Sequence, residues 1–213
     1  KLFKIISPKI IKAQVKEVEL MKLFTNSWRY ILFGISNEFF MISKKFGLNY
    51  ENIRKIMIDD YPRAKNIPTA GFASGPCLHK DTIQLSHYLG DNFLFGNAAK
   101  KINQNITKFI LKEIQKNTNL KNKIVGILGM AFKANNDDMR DSLSLKLKKE
   151  LKNKCKLIYC SDEYINSKNF VSKDFLIKKS DIIIIGSPHK QYKKLKLKNK
   201  KIINIWEGIL WKF

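Results

Sequence analysis

One cysteine stands in a bent, glycine-rich stretch, Gly71-Phe72-Ala73-Ser74-Gly75-Pro76-Cys77-Leu78-His79-Lys80-Asp81, with a lysine three residues on and an aspartate four residues on. Gly71 and Gly75 permit backbone shapes and close approaches that a side chain would block. Pro76 fixes the backbone just before the thiol. The pattern Asp81-Thr82-Ile83-Gln84-Leu85 reads as helix, opened by Lys80 or Asp81. A helix N-terminus favours an anion, which helps a thiol that otherwise ionises near about pH 8.5. Two readings are open from this stretch alone: Cys77 as a nucleophile, or an inert thiol packed in a tight loop. A second segment, Glu19-Leu20-Met21-Lys22-Leu23-Phe24-Thr25-Asn26, lies in a long helical pattern. Lys22 and Asn26 are four residues apart and so share a face. An ammonium beside an amide can hold a water or a developing oxyanion next to a thioester. Without a reacting partner the same pair is an ordinary solvated face.

The elements that must position these groups are legible as periodicities. From about Gln14 to Phe46 apolar residues recur at helical spacing, with Gly34 inside the run and Gly47 as a C-terminal stop. Gly34 suits a place where another helix packs closely. Asn49 caps a short helix through about Ile58. Tyr61 to Lys80, with three of the five prolines, reads as loop, followed by helix to about Tyr88. Asp91 to about Asn117 is another long helix. The pattern changes at Asn119. Strands are predicted over 123–130, 155–160, 181–186 and 201–206, separated by helices over 142–151 and 174–179. Strands alternating with helices imply a parallel sheet. The chain therefore divides into a helical part, about 14–118, and an α/β part, about 119–213, with no internal repeat. Gly126 and Gly129 lie within and at the end of the first strand, where packing is their expected role. The run Lys193 to Lys201 reads as a solvated basic loop.

The formal charge of +23 is extreme, and such a balance can mark nucleic-acid binding. The cations are mostly lysine spread over every element, however, whereas arginine dominates base and phosphate recognition. No nucleic-acid partner is expected, while a nucleotide diphosphate would still gain from the field. Three cysteines give no paired framework, which fits a reducing cytoplasm. Cys155 and Cys160 flank a strand and read as packing positions. His79, His87 and His189 do not combine with cysteines at zinc spacing, so no metal is expected and each reads as a surface or loop residue. No apolar run reaches the roughly 18 residues of a membrane span.

Taken in order, the motifs resemble the UDP-glucose/GDP-mannose dehydrogenase family. Its Glu-Leu-x-Lys-x-x-x-Asn helix corresponds to Glu19 through Asn26, its Asn-Glu to Asn37-Glu38, and its Cys-x-x-Lys-Asp to Cys77 through Asp81. A third block, Phe132-Lys133 through Asp138, Arg140 and Ser142, looks like the family's Phe-Lys-x-x-x-x-Asp-x-Arg-x-Ser. Gly71 to Leu78, and Ser187-Pro188-His189, look more like the branch acting on UDP-N-acetylhexosamines. The resemblance implies a central helical dimerisation domain (14–118) followed by a Rossmann-like domain that binds the nucleotide sugar (119–213). The family's N-terminal NAD-binding Rossmann domain carries Gly-x-Gly-x-x-Gly, which does not occur in this sequence. Residues 1–13 would then be the tail of that domain, and the family's remaining catalytic groups would lie in it.

The activity implied is oxidation of a nucleotide sugar's C6 alcohol to a carboxylate in two NAD-dependent steps, through a thioester on Cys77. Lys22 and Asn26 would stabilise the oxyanion, and Lys22 with Asp81 would position the water. Lys133 with Phe132, Arg63 and the loop residues Gly71, Phe72 and Gly75 would face the substrate. Arg140 would reach the NAD pyrophosphate. The alternative is a non-catalytic fragment that binds nucleotide sugars and dimerises. The chain alone is expected to be inactive, with a UDP-sugar as ligand and a homodimer formed through the long helix.

Overall fold

Helix propensity, caps and two glycines set the helical half. The computed structural model describes residues 3–7, 9–195 and 200–212; Lys1, Leu2, Pro8, Phe213 and, in the basic run, Lys196 to Asn199 lie outside them. After a short helix α1 (Phe3–Ile6), helix α2 spans Val15–Lys45. It starts where the Gln14 amide donates to the Glu17 carboxylate at 3.0 Å. It stops at Gly47, whose φ of 70° continues no right-handed helix. Asn49 caps α3 (Tyr50–Ile58) by accepting from the Glu51 and Asn52 amides. Helices α4 (Pro76–Leu89) and α5 (Leu94–Asn117) pack against α2.

Helix α4 begins earlier than the sequence suggested. Residues 76–80 were expected to be loop, yet the first helical residue is Pro76, with Gly75 as N-cap at φ 100°. A proline at that position loses no hydrogen bond, because the first-turn N–H has no helical partner. Cys77 and Lys80 are therefore helical residues.

The face that α2 buries is mostly small or polar: Ser27, Gly34, Ser36, Asn37 and Ser43, with Leu23, Tyr30 and Phe40. A Cβ on Gly34 would stand 3.1 Å from Ala99, so this glycine serves the close approach of α5 within the chain and does not serve a partner helix. Large apolar side chains of α2 lie on the surface, including Phe24 (57% exposed), Trp28 (59%), Phe39 and Ile42. Among the described residues no helix is long and apolar enough to cross a membrane.

The second half is a five-stranded sheet. In chain order it runs β1 (Ile124–Leu128), α6 (Leu143–Leu151), β2 (Leu157–Ser161), α7 (Lys173–Lys179), β3 (Ile182–Ile185), β4 (Lys201–Asn204) and β5 (Ile209–Lys212). The spatial order is β2-β1-β3-β4-β5. The first four strands are parallel, with Val125 opposite Ile158 on one side and Ile182 on the other. Strand β5 is antiparallel to β4 and was not predicted. It follows a 3-10 turn (Ile205–Glu207) and Gly208 at φ 67°, which reverses the chain over too few residues to show as a period.

One continuous core runs through both halves: Phe40, Phe72, Ile106 and Ile110 on the helical side, and Val125, Ile127, Leu143, Leu147 and Ile203 on the sheet side. Each such side chain contributes roughly 1.5–3 kcal/mol by burial, so packing of α5 against α6 and β5 joins the two halves. That seam is where the chemistry-bearing residues meet.

Candidate active site

Helix α4 sets the first groups. Cys77 is exposed in its first turn, and Asp81 follows one turn later on the same side, fully buried. Lys22 and Asn26, one turn apart on α2, both point at that carboxylate. Lys22 Nζ donates to Asp81 Oδ2 at 2.7 Å and Asn26 Nδ2 donates to the same oxygen at 2.6 Å. Beside them the Ser27 hydroxyl donates to Thr82 Oγ1 at 3.1 Å, pinning α2 to α4. The other oxygen, Asp81 Oδ1, is buried without a hydrogen bond, and the exposed Lys80 ammonium stands 3.9 Å away.

Burial would push the Asp81 carboxyl up, but the hydrogen bonds from Lys22 and Asn26 outweigh it and hold the group below its ordinary range. The Lys22 ammonium is pushed up, first by its hydrogen bond to Asp81, with a further attraction to charge on Cys77. The site thus presents a cation, an amide and an ionised carboxylate beside an exposed sulfur at a helix N-terminus.

The loop before Cys77 is fixed from both sides. Asn37 accepts from the Gly71 amide at 2.9 Å and donates to the Gly71 carbonyl at 3.0 Å. Asn37 also donates to Asn103, which in turn donates to the Tyr30 carbonyl. On the opposite side a Cβ on Gly71 would fall inside the Trp206 ring, and one on Gly75 inside the Phe132 ring. The sequence reading had the Gly71, Phe72 and Gly75 stretch lying against a sugar. In the folded chain Trp206 and Phe132 cover the two glycines, and Phe72 is in the core. Asn37 and Trp206 were missed as site builders. Asn37 belongs to a quoted motif without an assigned role, and Trp206 carries no local signal.

The connection from β1 to α6 supplies the other side. Phe132 lies on Gly75, and the Lys133 ammonium sits over the Phe132 ring at 5.5 Å. Arg140 is exposed and paired with Asp138 at 2.7 Å. That pairing raises the guanidinium's hold on its proton, with Cys77 close enough to add to it. Arg63 stands exposed on a 3-10 turn (Pro62–Ala64) and joins none of these contacts. Two histidines depart from expectation. His79 is half-buried, its ring 6.0 Å from that of Tyr30, and His189 is wholly buried. Among the described residues no three His, Cys, Asp or Glu side chains group around a metal position.

These contacts bring the three motif blocks to one place, and the similarity to known proteins spans the same residues. The sequence matches the central domain of the UDP-glucose/GDP-mannose dehydrogenase family over residues 16–105 and the family's UDP binding domain over residues 126–206. The chain belongs to this family. UDP-N-acetyl-D-mannosamine dehydrogenase of Pyrococcus horikoshii is 29% identical over 192 residues, 87% of this chain and 45% of the relative. The enzyme of that name from Methanocaldococcus jannaschii is 27% identical over 97% of this chain and 51% of its own length. The solved UDP-D-ManNAc dehydrogenase of Pyrococcus horikoshii superposes with a TM-score of 0.78 at 26% identity, covering 87% of this chain and 47% of that one. A UDP-glucose dehydrogenase from Pyrobaculum islandicum shares the fold, with a TM-score of 0.77 at 22% identity over 88% of this chain and 47% of that one. The chain spans about half the length of the curated relatives it matches.

Dehydrogenases of this family use NAD, and the end of β1 is where a dinucleotide-binding turn would lie. The Met130 and Ala131 amides there already donate to Asp162 Oδ2, at 2.6 and 3.0 Å. The open side of Gly129 is filled by the Ser187 backbone. The Met130 and Ala131 amides and the open side of Gly129 are thus already taken and are not offered to a pyrophosphate.

Proposed function

We propose that this chain is the central and C-terminal part of an NAD-dependent nucleotide-sugar 6-dehydrogenase, with Cys77 as the nucleophile that carries the sugar between aldehyde and acid. The observation that carries this reading is the convergence of Lys22 and Asn26 on Asp81, one helical turn from an exposed Cys77. The Cys77 thiolate adds to the C6 aldehyde carbon and forms a thiohemiacetal. Hydride removal, the cofactor's part of the chemistry, leaves a thioester. Water then adds to the acyl carbon, and cleavage of the C–S bond releases the carboxylate and the thiolate. Lys22 is the oxyanion partner: one N–H is held by Asp81 and the others remain open. Asn26 fixes the carboxylate that holds Lys22 in place. Asp81 Oδ1, buried and unpartnered, is the acceptor left for the attacking water.

Lys133 and Phe132 are the proposed nucleotide-sugar contacts, with Arg140 toward the cofactor and Arg63 as a more distant substrate contact. The UDP-N-acetyl-D-mannosamine dehydrogenases among the relatives support a UDP-N-acetylhexosamine as substrate. The surface apolar face of α2 supports a homodimer formed through this helix. The domains proposed are 14–118 and 119–213, with 1–13 as the end of a preceding domain.

A second reading, supported by Phe132 and Lys133 beside the Gly75 loop, is a nucleotide-sugar-binding and dimerising unit without turnover. One experiment separates the two. Whole protein supplied with UDP-N-acetylmannosamine and NAD should form NADH and the uronic acid, and Cys77→Ala should abolish the acid. Normal acid output from Cys77→Ala would defeat the nucleophile assignment. The 213-residue chain alone should bind UDP and form no NADH.

A further inference from the structure

Ser187-Pro188-His189 and Asp162 lie away from Cys77, yet they hold the loop that carries Phe132 and Lys133. His189 and Asp162 are both wholly buried. His189 Nδ1 accepts from the Asn135 amide at 2.8 Å. The ring proton is therefore on Nε2, which donates to Asp162 Oδ2 at 3.1 Å. That oxygen also accepts from the Met130 and Ala131 amides, while Oδ1 accepts from the Tyr164 amide at 2.9 Å. Asn135 stands at φ 53°, and its side-chain oxygen accepts from the Lys190 amide and the Tyr164 hydroxyl. The rings of Tyr164 and Tyr192 pack on the imidazole at 5.0 and 5.3 Å. The loop is thus gripped just before Phe132 by Asp162 and just after Lys133 by His189. Only Phe132, Lys133 and Ala134 lie between the two grips.

We propose that His189 is a positioning residue: by accepting the Asn135 N–H while donating to Asp162, it fixes the Phe132–Lys133 loop in its ligand-binding position and so sets nucleotide affinity from outside the site. This rests on the reading of Phe132 and Lys133 as nucleotide-sugar contacts. The two ring nitrogens do different work and can be removed separately. His189→Gln keeps an amide donor near the Nε2 position for Asp162 and loses the acceptor for Asn135. His189→Asn keeps an acceptor near the Nδ1 position and loses the reach to Asp162.

The test uses the 213-residue chain with UDP, and GDP as the second ligand, by calorimetry. His189→Gln should weaken UDP binding about tenfold, the scale of one hydrogen bond lost at a buried group, and His189→Asn by less than about threefold. Amide exchange at Asn135 should accelerate in the Gln variant and not in the Asn variant. Alkylation of Cys77 by iodoacetamide should keep its wild-type rate in both. Equal losses in the two variants, or unchanged Asn135 exchange in the Gln variant, would overturn the positioning role. If either variant fails to fold, the wild type decides. UDP saturation should slow exchange at Met130, Ala131 and Asn135 and leave α3 unaffected; binding without that change overturns the proposal. A wild-type chain that binds neither nucleotide would overturn the substrate reading itself, whatever the amides do.

Discussion

Lys22 and Asp81 meet at 2.7 Å across 59 residues of chain, the carboxylate buried and the lysine side chain 56% exposed. The unequal burial gives the pair its character. Lys80 stands 3.9 Å from the other carboxylate oxygen without a hydrogen bond, and the packing of α2 on α4 supplies the hydrogen bonds from Lys22 and Asn26 that keep Asp81 ionised. Lys22 remains open to a ligand while anchored at one N–H.

That anchoring makes stability at low pH depend on Asp81. Its folded carboxyl lies below the ordinary 3.8. Above that ordinary value both folded and unfolded chains carry the charge, and the full contribution is present. As pH falls through the ordinary carboxylate range toward the lower folded value, the unfolded chain takes up the proton first and the contribution is lost. Urea midpoints of wild type and Asp81→Asn should differ most near neutral pH and converge below about pH 4. A constant gap across that range would remove Asp81 from the linkage.

The three thiols should react in the order Cys77, Cys155, Cys160. Cys77 is exposed, Cys155 half-buried and Cys160 buried. Burial pushes both of the latter thiols up. Timed iodoacetamide labelling read by mass spectrometry should modify Cys77 at least about tenfold faster than Cys160. Equal rates would show that the seam does not hold as described.

Gly75 should tolerate no side chain. Its φ of 100° is strained for any L-residue, and a Cβ would enter the Phe132 ring. Gly75→Ala should cost on the order of 2–4 kcal/mol in urea unfolding, from strain and overpacking together. Gly71→Ala should cost about 1–3 kcal/mol by displacing Trp206, with a change in tryptophan emission. Unfolding curves that overlay the wild type would refute the packing of the loop.

Self-association should depend on the surface face of α2. Wild type is expected to sediment as a dimer at micromolar concentration. Trp28→Glu should weaken the dimer at least about tenfold while leaving the circular dichroism spectrum unchanged, because Trp28 is 59% exposed in the single chain. A wild-type monomer that keeps its full helix content would sink the homodimer.

Periodicity in the sequence was enough to mark α2, α5 and the four parallel strands, because each carries several turns or a fully apolar run with clear stops such as Gly47 and Asn49. Motif spacing marked Lys22, Asn26, Cys77 and Asp81 as candidates, because a helix places residues four apart on one side wherever it lies. Only the tertiary structure decided that these two helix faces meet at one carboxylate oxygen. It alone turned Gly71 and Gly75 toward Trp206 and Phe132, and Gly34 toward Ala99. Strand β5 and the buried His189–Asp162 pair were hidden for the same reason. Their partners are set by contacts between distant segments, and no local pattern of residues encodes which distant surface will arrive.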